Sequence, residues 1–326
     1  MVTPEEIGAG LLSLFHLFLL PLTWLSLTPT AFLLSVLALG PLPRHVAFIM
    51  DGNRRWARSL NSRIEAKQQQ QERQGSAEGQ KTPSGHQSGF QALKRVLDLC
   101  LQLKAIEHVT VYAFAIDNFK RKAEEVDELM ALARSSLIEL AGHGELLARH
   151  QARLRVVGRV HLLPPDVQEA VRRVEDLTRD NKGPTLNICI PYSSRDEMAG
   201  AVRSRVEAKM RAQRPQANGH CHSPNEAEEE DDDAAMATEL EALDKEMLLA
   251  HSPPVDVMVR TSGVHRLSDF MLWQITPSTT MHFVPTYWPV FGMRDMLPIL
   301  LDWQAHQFRK WLWGMDGGVL PNTSSC

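Results

Sequence analysis

The sequence lacks the glycine-rich loops of the commonest nucleotide-binding folds. Neither Gx4GK[ST] nor GxGxxG occurs in its 326 residues, so no motif supports binding of ATP or of a dinucleotide. The GxSxG and HExxH patterns are also missing, which removes the usual signatures of serine hydrolases and zinc proteases. The formal net charge is -4, and nothing in that balance indicates nucleic-acid binding, which usually needs a basic domain or stripe.

Cysteine is scarce and dispersed, with four residues and no CxxC pair. That usage is typical of a protein in a reducing compartment. Cys100 and Cys189 lie in apolar runs and are interpreted as core residues. Cys221 stands between two histidines in a polar stretch, where a metal site and a solvated loop are both open. A structural zinc site usually has four ligands, which favours the loop.

Charged residues are missing from a long run near the amino terminus. No Asp, Glu, Lys or Arg occurs from Ile7 to Leu42, and roughly 20 apolar residues suffice to cross a bilayer. Because Pro21 and Pro29 interrupt this run, a kinked span, a shallow hairpin and an interfacial anchor all remain open. A cleaved signal peptide is the main alternative beside a buried helix, but it normally begins with positive charge. The first six residues here are Met-Val-Thr-Pro-Glu-Glu, which are acidic. We expect residues 1–42 to associate with a membrane and the positively charged end to stay cytosolic.

After Pro43, short apolar runs alternate with segments of helical periodicity. Strands are predicted at 46–50, 109–114, 154–157, 186–190 and 255–259, and helices at 87–103, 124–149, 166–180, 195–211 and 294–312. This alternation predicts an α/β fold, a single domain with a mainly parallel central sheet flanked by helices. The predicted catalytic domain covers 43–313, with flexible insertions at about 61–84 and 213–235, and a tail covers 314–326.

Polar turns follow three of the predicted strands, at Asp51–Arg55, Asp117–Arg121 and Arg260–Ser268. Ligands bind at the carboxyl ends of parallel strands, so we expect the three turns to form one site. The first turn combines a carboxylate, a glycine, an amide and two guanidinium groups, which suits a magnesium diphosphate. The third suits a second anion. The alternative is a charged surface turn for the first, the cap of a helix start for the second and a polar loop for the third. The acidic block Glu226–Asp233 lacks the spacing of a DDxxD metal motif and is interpreted as part of an insertion.

Taken in order, these motifs resemble the cis-prenyltransferase family, above all its eukaryotic dehydrodolichyl diphosphate synthase members. The matching segments are His45–Arg58 (HVAFIMDGNRRWAR), Ser84–Phe90, Thr110–Arg121, Glu125–Met130, Leu186–Asn187, Tyr192–Arg195, Asp256–Trp273 and Trp288–Pro289. The resemblance implies the cis-prenyltransferase fold and a Mg²⁺-dependent condensation of isopentenyl diphosphate onto farnesyl diphosphate. The implied product is a long-chain dehydrodolichyl diphosphate for dolichol synthesis and protein glycosylation. The implied location is the endoplasmic reticulum membrane, with the catalytic domain facing the cytosol.

The resemblance also implies the roles of individual residues. Asp51 would hold Mg²⁺ and act in catalysis, and Asn118 would lie near the reacting carbons and serve proton removal. The allylic diphosphate would contact Gly52, Asn53, Arg54, Arg55, Trp56, Arg73 and His86. Phe119 and Arg121 would complete the region of Asn118, and isopentenyl diphosphate would contact Arg260, Arg266 and Ser268.

Four departures from the family pattern stand out. Arg73 is separated from Gly85-His86 by an insertion, and Ala115 stands where serine is common. Residues 277–280 offer no counterpart of the metal-binding glutamate of bacterial members, and the tail after Gly314 lacks an RxG motif. We therefore expect a hetero-oligomer with a non-catalytic homologous subunit that supplies RxG. The alternatives are a non-catalytic subunit, which the intact Asp51–Arg55 turn disfavours, and a membrane-bound protein that only binds lipid diphosphates.

Overall fold

The computed structural model describes residues 29–72, 84–142, 146–212 and 232–313. The strands are β1 (His45–Ile49), β2 (His108–Tyr112), β3 (Arg153–Val157), β4 (Thr185–Cys189), β5 (Val257–Arg260) and β6 (Thr280–Phe283). The helices are α1 (Pro29–Leu37), α2 (Asn53–Glu72), α3 (Gly85–Gln102), α4 (Ala123–Ala141), α5 (Leu146–Arg149), α6 (Pro165–Thr178), α7 (Ser194–Ala212), α8 (Asp232–Glu246) and α9 (Met293–Trp313).

The six strands form one sheet in the order β3-β4-β2-β1-β5-β6, and every strand pair is parallel. This confirms the predicted α/β fold with a parallel central sheet. All five residues of β1 are buried, as expected for a strand with neighbours on both edges and side chains covered on both faces. Because β1 pairs with β2 and β5, the turns that follow these three strands open at the same edge of the sheet.

Aromatic packing fixes the end of β1 that carries the candidate site. The ring of Phe48 lies 5.8 Å from Trp288 and 6.2 Å from Phe291, measured between ring centroids. Trp288 is fully buried, and its indole Nε1 donates a hydrogen bond to Gly89 O of α3 at 2.8 Å. Its main-chain nitrogen donates to Asp51 O at 3.1 Å. These contacts hold the turn after β1 against the segment that precedes α9.

Three sequence-based boundaries are corrected by the structure. The predicted insertion at 61–84 is helical as far as Glu72, because its Gln, Glu, Lys and Ala residues are good helix formers that extend the helix begun at Asn53. The predicted helix at 124–149 is divided into α4 and α5, and Gly142, which directly follows α4, is a poor helix former. The second predicted insertion, 213–235, ends earlier, because α8 begins at Asp232.

The described chain divides into two compact units, one formed by residues 43–295 and the other by 29–42 with 296–313. Within the second unit, the Gln304 side-chain amide donates to Leu37 O at 2.8 Å. Among the residues that the structure describes, no helix has the length and apolar character needed to cross a membrane. The run from Ile7 to Leu42 is described only from residue 29 onward. The predicted domain limits stay a prediction.

Candidate active site

A polar cavity of about 530 Å³ lies at the carboxyl ends of β1, β2 and β5. Residues of all three predicted turns line it, which confirms that the turns converge. Its volume is in the range of small-molecule sites. Among the residues that the structure describes, its arginines are Arg54, Arg55, Arg58, Arg121, Arg260 and Arg266, and Asp51 is the single acidic residue in its lining. Six guanidinium groups against one carboxylate make the cavity a site for anions.

The turn after β1 depends on glycine. Gly52 has φ +104, and a Cβ placed there would come within 2.7 Å of Tyr287 Cδ1 and 2.9 Å of the Ser262 Cβ. A residue with a side chain would therefore be strained and would push against both neighbours. The hydroxyl of Thr261 fixes the same turn, since it donates to Asp51 O at 2.7 Å and accepts from Asp51 N at 2.9 Å.

Asp51 lies between two of the arginines. Its Oδ2 accepts a hydrogen bond from Arg260 Nη2 at 2.9 Å, and its Oδ1 lies 3.4 Å from Arg55 Nη2. Burial acts to raise the pKa of Asp51, but the hydrogen bond and charge of Arg260, together with the charge of Arg55, outweigh it and hold that pKa below its usual value. Asp51 is therefore ionised at neutral pH, the state in which a carboxylate binds a metal ion.

The short 3-10 helix Ile116–Lys120, which follows β2, presents Asn118 to the cavity. Arg121 Nη2 donates to Asn118 Oδ1 at 2.9 Å, and Arg121 Nη1 donates to Glu125 Oε1 at 2.9 Å. Arg54 Nη1 lies 3.3 Å from the same glutamate oxygen. Glu125 thus orients two arginines of the cavity wall, one from α2 and one from the turn after β2.

The segment after β5 supplies the opposite wall. Arg260 is buried, and its Nη1 donates to Ser268 Oγ at 2.7 Å and to the main-chain oxygen of Arg266. Arg266 Nε donates to the same serine hydroxyl at 3.3 Å. Ser262 binds the first turn from this side, because Arg55 Nη2 donates to Ser262 Oγ at 2.5 Å. The two arginines of this segment therefore share Ser268 as a common acceptor.

The polar cavity adjoins an apolar one between α3 and α4. Six residues line both, namely Met50, Asn53, His86, Ala113, Phe114 and Leu129. Beyond them the wall is apolar and includes Phe90, Leu93, Leu132 and Leu137. His86 stands at this junction with a pKa below its usual value, chiefly through burial, so its imidazole is neutral at pH 7. A ligand with a charged head and a hydrocarbon tail matches this pair of cavities.

The structure brings most of the predicted site residues together. The following line the polar cavity: Asp51, Gly52, Asn53, Arg54, Arg55, His86, Asn118, Arg121, Arg260, Arg266 and Ser268. Trp56 and Phe119 lie outside its lining, and Phe119 packs edge-on against Phe114 with 4.9 Å between ring centroids. Arg73 lies outside the described residues, as do Cys221 and most of the acidic block Glu226–Asp233.

Sequence reasoning missed several residues that hold the site in place. Glu125 follows Arg121 by four positions, the spacing at which side chains meet on a helix, so this pair had a recognisable signal. Thr261, Ser262 and Tyr287 act through contacts between segments far apart in the chain, and no local pattern announces them. The hydroxyls of Thr279 and Thr280 donate to Val255 O and Asp256 O, and the expected lack of a metal ligand at 277–280 stays a prediction.

The residues present fit a magnesium ion that is shared with a phosphate ligand. In the described part of the chain, no three His, Cys, Asp or Glu side chains are grouped to hold a metal by themselves. Mg²⁺ at phosphate sites is usually bound through one or two carboxylates together with phosphate oxygens and water. Asp51 supplies one such carboxylate, and Asn53, two positions further along, has a buried Oδ1 without a hydrogen-bond partner. The donor set therefore suits Mg²⁺ with a diphosphate and does not suit a structural metal ion.

Fold and site together define a class of enzyme. An anion-binding cavity at the end of a parallel sheet, with an ionised carboxylate and an adjoining apolar cavity, is suited to transferring chains that carry a diphosphate group. Comparisons with known proteins point to the same class. Residues 49–310 match the family model described as putative undecaprenyl diphosphate synthase.

Two curated relatives and one solved structure are closely similar to this chain. A dehydrodolichyl diphosphate synthase complex subunit of Schizosaccharomyces pombe is 38% identical over 284 residues, or 87% of this chain and 93% of that protein. A human subunit of the same description is 37% identical over 275 residues, or 84% of this chain and 71% of that protein. The lavandulyl diphosphate synthase of Lavandula x intermedia, solved with dimethylallyl diphosphate, has a TM-score of 0.60 at 27% identity and covers 81% of this chain and 95% of its own.

The chain belongs to the cis-prenyltransferase family, and it is a transferase of prenyl groups. The family membership predicted from His45–Arg58 and the motifs after it is thereby confirmed.

Proposed function

We propose that this chain condenses isopentenyl diphosphate repeatedly onto farnesyl diphosphate and so makes a long-chain dehydrodolichyl diphosphate. The curated relatives named for this activity cover most of the chain. The observation that carries the proposal is the adjacency of the arginine-lined cavity to the apolar cavity between α3 and α4, since six residues line both. Such a pair of cavities holds a diphosphate head in place while a hydrocarbon chain extends away from it. The product would serve dolichol synthesis and protein glycosylation.

Asp51 is the proposed magnesium ligand. When bound, Mg²⁺ stabilises the negative charge that develops on a departing diphosphate. Asp51 is held ionised for this purpose by Arg260 and Arg55, while Gly52 lets the main chain approach an anion closely. Arg54, Arg55 and His86 surround the proposed allylic diphosphate. Because these groups are positioned before the reaction, they stabilise the leaving group without reorganising.

The second anion, the diphosphate of the isopentenyl unit, is assigned to Arg260, Arg266 and Ser268. Asn118 faces the region between the two anions, where we place the reacting carbons. Its Oδ1 already accepts a hydrogen bond from the charged Arg121, which makes that oxygen a poorer proton acceptor. We therefore assign Asn118 to proton removal as a group that orients the isopentenyl unit and not as the final base.

Two exposed apolar surfaces in the unit formed by 29–42 and 296–313 support association with a membrane. In α1 and just after it, Leu33, Val36 and Leu39 are exposed, and in α9, Leu301, Phe308, Trp311 and Leu312 are exposed. The four α9 residues follow a helical repeat and share one face. Exposed apolar residues with a tryptophan and neighbouring basic residues are typical of membrane interfaces. We propose that this unit and the preceding apolar run lie at the cytosolic face of the endoplasmic reticulum membrane.

The proposed partner is a non-catalytic homologous subunit. Both curated relatives described above are named as subunits of a complex, and the sequence after Gly314 lacks an RxG motif. We propose that a partner carrying RxG completes the isopentenyl site.

The test is elongation by the full-length chain with farnesyl diphosphate, radiolabelled isopentenyl diphosphate and magnesium, with and without a co-expressed partner. Long polyprenyl products are expected, strongly increased by the partner and abolished by a chelator. Arg266→Ala should raise the KM for isopentenyl diphosphate. Binding of both substrates without any elongation, even with the partner present, would show that the chain only binds lipid diphosphates.

A further inference from the structure

The segment after β5 is held in an unusual main-chain conformation. Of the five non-glycine residues with positive φ in the described parts of the chain, four lie here: Ser262, Ser268, Asp269 and Met271. Their φ angles lie between +49 and +75. Each such residue costs about 1–2 kcal/mol relative to ordinary backbone. Conformations of this kind persist only where surrounding contacts impose them.

Around Asp269, the contacts that impose this conformation come from Ser193 and the start of α7. The carboxylate of Asp269 accepts from Ser193 Oγ at 2.5 Å, from Arg195 N at 3.0 Å and from Arg195 Nε at 3.1 Å. The main-chain oxygen of Asp269 accepts from Ser194 N at 2.8 Å. The Ser194 hydroxyl in turn accepts from Leu272 N at 2.9 Å. Three consecutive residues, 193–195, thus fasten both the side chain and the main chain at 269–272.

The residue next to this attachment is Ser268. Its hydroxyl accepts hydrogen bonds from Arg260 and Arg266, and its main-chain oxygen accepts from the Tyr112 hydroxyl at 3.3 Å. Because Ser268 and Asp269 are both left-handed, a change at Asp269 alters the direction in which Ser268 projects. The position of the serine shared by both arginines therefore depends on the carboxylate of Asp269.

We propose that Asp269, held by Ser193 and Arg195, is a positioning residue for the diphosphate of isopentenyl diphosphate, the second anion of the site. It acts through Ser268, Arg260 and Arg266 and touches neither substrate. This inference rests on the proposed function, which assigns that anion to the segment after β5. That function assigns the allylic diphosphate to the turn after β1, and in the described part of the chain no hydrogen bond joins Asp269 to that turn. Loss of the attachment should therefore affect one substrate and leave the other unchanged.

The central variant is Asp269→Asn in the full-length chain with its partner. Asparagine has nearly the same size and tolerates left-handed backbone well, so the change removes the charge and one acceptor without adding strain. Displacements of about 1 Å at a reacting group can cost about 100-fold, and we expect the KM for isopentenyl diphosphate to rise between about 10-fold and 100-fold. The KM for farnesyl diphosphate should stay within about two-fold.

The matched control is Asp196→Asn. Asp196 lies one position beyond Arg195 on the same helix, and its carboxylate forms an ion pair with Arg159 and not with residues 262–272. This variant should leave both KM values unchanged. Ser193→Ala, which removes one donor to Asp269, is a milder version that keeps the fold if Asp269→Asn does not. Its effect should be selective for the same substrate, and in the double variant with Asp269→Asn the two effects should not add.

Calorimetric binding of isopentenyl diphosphate separates this inference from the proposed function. If the wild-type chain fails to elongate but Asp269→Asn still weakens that binding selectively, the proposed function fails and the positioning role stands. If Arg266→Ala raises the KM for isopentenyl diphosphate but Asp269→Asn and Ser193→Ala do not, the positioning role is refuted while the site assignment stands. An equal rise in both KM values, or an equal effect of Asp196→Asn, also refutes it.

Discussion

Replacing Asp51 by asparagine removes the one carboxylate that the described residues place in the cavity lining, which carries six arginines in the same part of the chain. The largest loss of stability arises because Arg260 loses its ion-pair partner. The Arg260 side chain is only 3% exposed, and its Nη2 lies 2.9 Å from Asp51 Oδ2. The other two hydrogen-bond acceptors of Arg260, Ser268 Oγ and Arg266 O, are neutral. Asp51→Asn therefore leaves a buried guanidinium group without a counter-charge.

The magnitude follows from the exposure of the two groups. Removing one partner of a buried ion pair typically costs about 3–5 kcal/mol. The Asp51 side chain is 31% exposed, so water screens part of the loss, and the asparagine oxygen still accepts one hydrogen bond. We expect the free energy of unfolding to fall by about 2–3 kcal/mol. The control is Glu107→Gln, which breaks the exposed pair with Arg44 and should cost no more than about 1 kcal/mol.

Urea denaturation of the wild-type chain and both variants measures these differences. The affinity of each chain for inorganic diphosphate is a second measurement. Without magnesium, Asp51→Asn should bind diphosphate at least as tightly as the wild type, because one negative charge has left the site. With magnesium, the wild type should gain affinity and the variant should not. An unfolding free energy that falls by no more than in Glu107→Gln would refute the electrostatic reasoning, and an equal magnesium effect in both chains would refute the assignment of the metal ligand.

Three further predictions concern other parts of the structure. Burial lowers the pKa of His45 to about 4, so between about pH 6.5 and 4 the unfolded chain binds a proton that the folded chain does not. As the pH decreases through this range, the free energy of unfolding should fall by on the order of 3 kcal/mol from this residue. Urea titrations at pH 7 and pH 4.5 should show a flatter pH dependence in His45→Gln. Gly52→Ala should lower the free energy of unfolding by at least about 1–3 kcal/mol and impair activity. The control is Gly200→Ala, in α7 with nothing within 4 Å of the new Cβ, which should be neutral or slightly stabilising in the same denaturation assay. Ser136→Phe places a ring in the apolar cavity and should shorten the products seen by reversed-phase chromatography. Ser135→Phe, on the exposed side of α4, should leave product length unchanged. Unchanged product lengths in both variants would contradict the proposed path of the growing polyprenyl chain.

The sequence predicts the central fold well because the strands β1, β2, β4 and β5 are short apolar runs between helical segments. It also predicts the meeting of the turns at Asp51 and Arg260, since parallel strands end at a common edge. It misses β6 (Thr280–Phe283), whose residues are only partly buried, because an edge strand of four residues lacks the apolar run that marks a central one. It misses the length of α2 because glutamine-rich sequence resembles a linker while favouring helix.

The side chains that orient the site are harder to predict. Ser193 and Asp269 are 76 positions apart, and Arg55 and Ser262 are 207 apart. Neither pair has a local pattern, because the contact exists only after the sheet has brought the two segments together. Left-handed backbone at Asp269 and Met271 is likewise imposed by tertiary contacts and not by residue type.

The polar and apolar cavities share six lining residues, and this arrangement also fixes the orientation in which an amphiphilic ligand binds. A molecule with a charged end and a hydrocarbon end can occupy the two cavities in one orientation. The reverse orientation would place the diphosphate among leucines and the hydrocarbon against arginines. The protein therefore sorts amphiphiles by direction before any chemistry begins. Single-chain anionic surfactants share this polarity, and they are expected to compete with substrate where neutral detergents do not.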